Sequence, residues 1–243
     1  MSINIEKLEC EKFAEFYNLL QEGNKICNLT TILDREDVFI KHFLDSILPE
    51  EYFEKRANCI EIGSGAGFPS IPLMICREDL KFTLIESIQK KVDFLKQAVH
   101  KLQLNAVVLN NRAEVLAHEE QYREKFDICT ARAVAKMVTL VEYCLPFIKI
   151  GGKMIAYKAN IEKELQEAQY AIELLGGKII KEVKYSLPKN MGHRTIIIIE
   201  KVKKTEKGYP RGKGKERAKP LLEKRKIDES NCIDRTPHIK EKF

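Results

Sequence analysis

Between residues 57 and 201, short apolar runs rich in β-formers alternate with amphipathic helical stretches. That alternation is the pattern of a parallel sheet with crossover helices, and it admits few other folds. The first run, Asn58–Ile62, leads directly into Gly63-Ser64-Gly65-Ala66-Gly67-Phe68-Pro69. Glycines there let the chain turn tightly and bring backbone close to a ligand with no Cβ in the way. A turn at a strand–helix junction of an α/β sheet is where nucleotide-like ligands sit.

The spacing predicts strands over 58–62, 82–85, 107–109, 126–130 and 154–157, with helices over 69–77, 90–102, 137–147 and 161–175. Gly176-Gly177 is a helix-ending signal. Two strands follow, about 178–187 and 194–201, close enough to pair antiparallel. The expected sheet is therefore seven-stranded with a terminal antiparallel hairpin. A dinucleotide dehydrogenase would need a second βαβ half, for which no length remains. Ahead of the sheet, residues 5–25 read as a helix with Phe13, Phe16, Tyr17 and Leu20 on one face, weakened at Gly23-Asn24. Residues 35–48 form a second, with Ile40, Phe43, Leu44, Ile47 and Leu48 as its stripe. His42, Asp45 and Ser46 lie off that stripe and read as groups tying this helix to the next layer. The expected organisation is a helical extension (1–56), an α/β domain (57–204) and a basic tail (205–243).

Charge is unevenly placed. Residues 200–243 hold 15 Lys+Arg against 8 Asp+Glu, a net of +7, so the body carries −1 of the overall +6. A basic arm on a neutral body suits a polyanion, and its alternative reading is a solubilising tail. Tyr209-Pro210-Arg211-Gly212-Lys213-Gly214-Lys215-Glu216-Arg217 sets cations on a Gly/Pro backbone. Arg211, Lys213, Lys215 and Arg217 are thus candidate RNA contacts on a flexible, non-helical segment. The seven cysteines form no C-x-x-C pair or Cys/His cluster. Cys59, Cys129 and Cys144 read as reduced core thiols, which with an acidic, amphipathic N-terminus points to the cytoplasm. No metal is expected, and no uncharged apolar run approaches the roughly 20 residues of a membrane span.

Glu61 stands two residues before the first glycine, where it would repel a pyrophosphate. It suits donors near a cationic ligand, and S-adenosylmethionine carries a sulfonium and an ammonium. Glu86 ends the second strand, placed to accept from ribose hydroxyls of NAD or S-adenosylmethionine alike. Asn111-Arg112-Ala113-Glu114 follows the third strand on the same sheet edge, where Ala113 and Glu114 can meet an adenine edge or simply open a helix. Arg132 and Lys158 end the fourth and fifth strands and point to the reaction region, each with a structural ion pair as its alternative. No G-x-x-x-x-G-K-[ST], no G-x-S-x-G and no [DNS]-P-P-[YFW] is present. Their absence argues against P-loop, hydrolase and exocyclic-amine methylase chemistry.

The run Ile60–Leu73 resembles the cofactor motif of the bacterial 16S ribosomal RNA guanine-N7 methyltransferase family (RsmG, or glucose-inhibited division protein B). The resemblance extends through Asn28-Leu29-Thr30, His42-Phe43-Leu44-Asp45-Ser46, Glu86-Ser87, Arg112-Ala113-Glu114, Thr130-Ala131-Arg132-Ala133 and Tyr209-Pro210-Arg211, covering about 5–221. It implies a class I S-adenosylmethionine-dependent fold, Rossmann-like, behind a helical N-terminal extension. It implies methylation of a guanine N7 in small-subunit ribosomal RNA, and the expected partner is that RNA or the small subunit as an assembly intermediate, met by a monomer. Cofactor contacts carry over to Gly63, Phe68, Ala113, Glu114 and Arg132, and Gly65, Glu61 and Glu86 join them by position. The family often has aspartate where Glu61 and Glu86 stand, and residues 222–243 lie beyond its usual end. Arg132 is the expected catalytic support, so Arg132→Ala should cut turnover without unfolding the chain. The alternatives are another RNA substrate, or a non-catalytic S-adenosylmethionine-binding RNA-binding protein.

Overall fold

A computed structural model describes residues 8–159 and 161–223. The expected helix start at residue 5 and the tail beyond 223 lie outside the described residues. Helix α1 spans Glu11–Ile26 and runs unbroken through Gly23. A Cβ at Gly23 would lie 2.6 Å from the Phe94 ring, so glycine here is a close-approach residue rather than a breaker. The second stretch is α2 (Arg35–Val38), a π-helical segment Phe39–Leu44, then α3 (Asp45–Ile47). A π segment adds a residue to the turn and is frequent at functional sites. Its polar residues are buried with its apolar ones: His42, Asp45 and Ser46 are each under 9% exposed.

Then come β1 (Asn58–Ile62), α4 (Ser70–Cys76), β2 (Lys81–Glu86), α5 (Gln89–Lys101), β3 (Ala106–Asn110) and α6 (Ala113–Leu116). They are followed by β4 (Phe126–Arg132), α7 (Met137–Cys144), β5 (Ile148–Lys158), α8 (Glu162–Leu174), β6 (Gly177–Ser186) and β7 (His193–Lys201). The sheet order is β3-β2-β1-β4-β5-β7-β6. The five strands β1 to β5 pair parallel, and β7 pairs antiparallel with both β5 and β6. The expected seven-stranded α/β fold with a terminal hairpin is the one observed. The chain leaves β1 in one direction for β2 and β3 and returns for β4 and β5. The β1/β4 junction is thus the switch point where ligands bind, outside the strands' carboxyl ends.

Two cores sandwich the sheet. On one face the extension packs against α4 and α5 through Phe13, Phe16 and Phe43. Phe43 lies 5.1 Å from Phe13 and 5.3 Å from Phe16, ring to ring. On the other face α7 and α8 cover β1, β4 and β5. Among the described residues no helix is long and apolar enough to cross a membrane.

The arm departs from expectation. Residues 205–221 are folded back on α7 and contain a short helix, α9 (Lys215–Ala218). The Arg123 guanidinium donates to four carbonyls, those of Ala117, Thr205, Glu206 and Tyr209, each at 2.9 Å. Arg211 donates to both oxygens of Glu142, which is fully buried, at 2.9 and 2.8 Å. Glu216, also fully buried, accepts from the Gly212 N–H. One acid within the arm, Glu216, and one on α7, Glu142, give the arm a packed structure that its Gly/Pro content alone does not suggest.

Candidate active site

A cleft opens at the switch point, lined at its floor by Ile62, Gly63 and Ile85. On the β2 and β3 side stand Glu86, Ser87 and Asn111 to Glu114. On the β4 side stand Val134, Tyr143, Gly214 and Arg217. Gly63 adopts φ +67°, and a Cβ on it would meet Val134 Cγ2 at 2.9 Å, so the floor admits only glycine without strain. Glu86 Oε2 accepts from Gly65 N–H at 3.0 Å and Oε1 from Ile88 N–H at 2.8 Å. Each oxygen keeps a lone pair for a ligand hydroxyl. Ala113 and Glu114 open α6, and N–H groups in a first helical turn have no acceptor within their own helix. An acceptor pair beside the glycine turn and unsatisfied donors one strand away fit an adenosine, with its ribose at Glu86 and its base beside Ala113 and Glu114.

A second, adjoining pocket is lined by Asp45, Arg132, Ala133, Tyr157, Lys158 and Arg194. Asp45 is its anchor. It pairs with Arg132 at 3.2 Å and Arg194 at 3.4 Å, and its Oδ1 accepts from the Tyr185 hydroxyl at 2.7 Å. Arg132 also donates to His42 Nδ1 at 2.6 Å and the Lys41 carbonyl at 3.0 Å, and lies over the Phe68 ring. Burial, and next the Arg132 charge, lower the His42 pKa from 6.5 to about 3. The imidazole is therefore neutral and accepts from Arg132. Lys158 donates to the Ala135 carbonyl at 2.8 Å and to Glu164 at 2.7 Å, which leaves one ammonium N–H uncommitted.

A family model described as rRNA small subunit methyltransferase G matches residues 9–191. The chain belongs to that family. It is 44% identical over 229 residues to the Lachnoclostridium phytofermentans ribosomal RNA small subunit methyltransferase G, covering 93% of this chain and 95% of that one. It is 44% identical over 227 residues to a Staphylococcus aureus protein of the same name, covering 91% and 95%. Among solved structures it resembles a Pyrococcus furiosus methyltransferase (TM-score 0.55, 15% identity, 79% of this chain and 100% of that one). It also resembles an S-adenosylmethionine-dependent methyltransferase from Aquifex aeolicus (TM-score 0.54, 16% identity, 75% and 98%). These two likenesses speak for the fold alone.

Of the cofactor contacts expected from the family and from position, the structure brings Gly63, Glu86, Ala113 and Glu114 together around one cleft and places Gly65 beside it through its bond to Glu86. Three expected contacts stand elsewhere. Phe68 is 9% exposed and stacks on His42 at 4.4 Å, in the core shared with the extension. Arg132 lines the adjoining pocket, held by the extension. Glu61 is fully buried behind the turn, hydrogen-bonded to the Ser70 hydroxyl at 2.5 Å, with Oε1 unpartnered. Burial raises its pKa from 4.5 to about 8, so near neutrality it carries no charge to attract a cation.

The four arm cations also separate. Arg211 is occupied by Glu142, Lys213 and Lys215 are exposed, and Arg217, also exposed, lines the cleft. Sequence reasoning missed Val134, Tyr143, Gly214, Asp45 and Arg194 as site residues, and took Arg217 for an RNA contact rather than a residue of this cleft. Only Asp45 carried a signal, as a carboxylate among polar residues off the stripe of an amphipathic helix.

Proposed function

We propose that this chain transfers a methyl group from S-adenosylmethionine to N7 of a guanine in 16S ribosomal RNA, acting as a monomer in the cytoplasm on the small subunit or an assembly intermediate. The observation that carries the reading is the Gly63–Glu86–Ala113 cleft at the sheet's switch point, in a chain of this family. When bound, S-adenosylmethionine supplies an electrophilic methyl group on a sulfonium.

The protein's part is placement. Guanine N7 holds a free lone pair in the neutral base, so no residue need remove a proton before attack. Holding the reacting atoms in line is worth about 7–11 kcal/mol in well-oriented systems. Gly63 keeps the cleft floor open, and Glu86 with Ala113 and Glu114 orients the adenosine. The adjoining pocket receives the base, where the free N–H of Lys158 and the Arg194 guanidinium are donors for O6. Arg132 does not donate to N7, since that would occupy the lone pair. Its bonds to His42, Lys41 and Asp45 hold the extension against the strand ends and shape the pocket. Lys213 and Lys215, exposed on the arm, meet the RNA backbone.

The test is transfer of a labelled methyl group to naked 16S RNA, partial particles and whole small subunits, with the modified base mapped. Label at a guanine N7 supports the proposal. Label at another atom, or binding of S-adenosylmethionine with no transfer to any of the three, refutes it.

A further inference from the structure

The cleft has a wall that the sheet does not supply. Gly214 and Arg217 line it, yet both belong to the arm, more than 75 residues beyond the last strand end that faces the cleft. The arm is built into this position. Arg123 grips three of its carbonyls, and the buried Glu142 takes the Arg211 guanidinium and its backbone N–H. Thr139 Oγ1 donates to the Glu216 carbonyl at 2.9 Å, one residue before Arg217. Arg217 is then aimed by a bond of its own. It donates to the Val134 carbonyl at 3.2 Å, and Val134 and Tyr143 both line the same cleft. Among the described residues no carboxylate lies within ion-pair distance of it. A cation held by a neutral carbonyl at the rim of this cleft has a planar guanidinium to offer a base face.

We propose that the arm is part of the cofactor site, with Arg217 packing on the adenosine. The inference rests on the cofactor reading above and deepens it, moving Arg217 from the RNA side to the cofactor side. It also links the two sides. Arg217 is two residues from Lys215 and four from Lys213, so one segment faces the cofactor with Arg217 and the exterior with the lysines. A bound cofactor then holds the arm down.

S-adenosylhomocysteine binding by calorimetry to the full chain, to Arg217→Ala, to Arg217→Lys and to Lys207→Ala tests this, together with trypsin cleavage after Lys213 and Lys215 mapped by mass spectrometry. Arg217→Ala is expected to weaken binding about tenfold, between the values for an exposed and a desolvated cation–π contact. Arg217→Lys, which keeps the charge and loses the plane, should recover part of that, and Lys207→Ala should match the unaltered chain. Saturating S-adenosylhomocysteine should slow cleavage at both lysines in the unaltered chain, a measurement that needs no variant. Equal affinity of Arg217→Ala and the unaltered chain, or cleavage indifferent to the ligand, overturns the inference and leaves the cofactor reading standing. No binding by the unaltered chain overturns both.

Discussion

Arg132 and His42 meet through a 2.6 Å hydrogen bond that fixes the imidazole's tautomer. Nδ1 accepts from the guanidinium, so Nε2 carries the proton and donates to Thr30 Oγ1 at 2.8 Å. Thr30 in turn accepts from the Ile32 N–H at 3.1 Å, and Asn24 Oδ1 accepts from the Leu29 and Thr30 N–H groups. One chain of bonds thus runs from the end of α1 through the extension to the end of β4.

Arg132→Ala breaks that chain and is expected to do two things. Asp45, with a side chain 3% exposed, loses one of its two charge partners and keeps Arg194 at 3.4 Å, so the cost should fall below the roughly 3–5 kcal/mol of leaving a buried charge unpaired. The displaced strand end lowers kcat/KM by about 10²-fold. Urea denaturation reads the first effect and labelled methyl transfer the second. Unchanged stability would show that the extension does not depend on Arg132.

Glu61→Gln separates a buried acid from the cofactor's charge. The folded pKa, about 8, lies above the ordinary 4.5, so the folded state holds a proton that the unfolded chain releases. Stability from this group is therefore fully present below about pH 4.5 and lost as pH rises to about 8, at about 1.4 kcal/mol per pH unit. Glutamine cannot ionise, so the variant's advantage over the unaltered chain should grow from pH 5 to 8 and then level off. His42, whose folded pKa is lowered, has the opposite slope below pH 6.5, but it is common to both proteins and cancels in the difference. Thermal melts across this range decide it, and a flat difference would place Glu61 in a wetter setting.

Gly63→Ala forces a side chain onto φ +67° and against Val134 Cγ2. Backbone strain of this kind costs about 1–3 kcal/mol. If it is relieved by shifting the turn, S-adenosylhomocysteine affinity should fall about tenfold, since about 1.4 kcal/mol is a factor of ten. Calorimetric titration beside a thermal melt shows which of the two bears the loss.

The arm's cations should divide by role. Arg211→Ala leaves Glu142 buried and is expected to destabilise the fold by about 3–5 kcal/mol, with RNA affinity of the folded fraction little changed. Lys213→Ala and Lys215→Ala should leave melting intact. Each should flatten the dependence of log affinity on log salt by about 0.7, the value per contact to single-stranded RNA. An Arg211→Ala protein of normal stability would mean that the arm docks without this pair.

The strand–helix alternation, the seven strands and the glycine turn with its downstream carboxylate were all legible in the sequence. Each is local: apolar periodicity reports which face of an element is buried, and the turn needs glycine wherever backbone takes a positive φ. Gly63, Ala113 and Glu114, named from the family motifs, and Glu86, named from its position, line one cleft in the structure, because those residues sit directly on strand ends and helix starts. What periodicity does not encode is which buried polar groups pair across long separations. Arg132 reaches His42 and Asp45 close to 90 residues away, and Arg211 meets Glu142 across 69 residues. Those pairings exist because a charge taken out of water must find a partner, and only the packing of extension, sheet and arm decides which partner is near. The same packing sent Glu61 behind the turn at which the sequence had placed it. It also brought Arg217, read first as one cation among several on a loose tail, to the rim of the cleft.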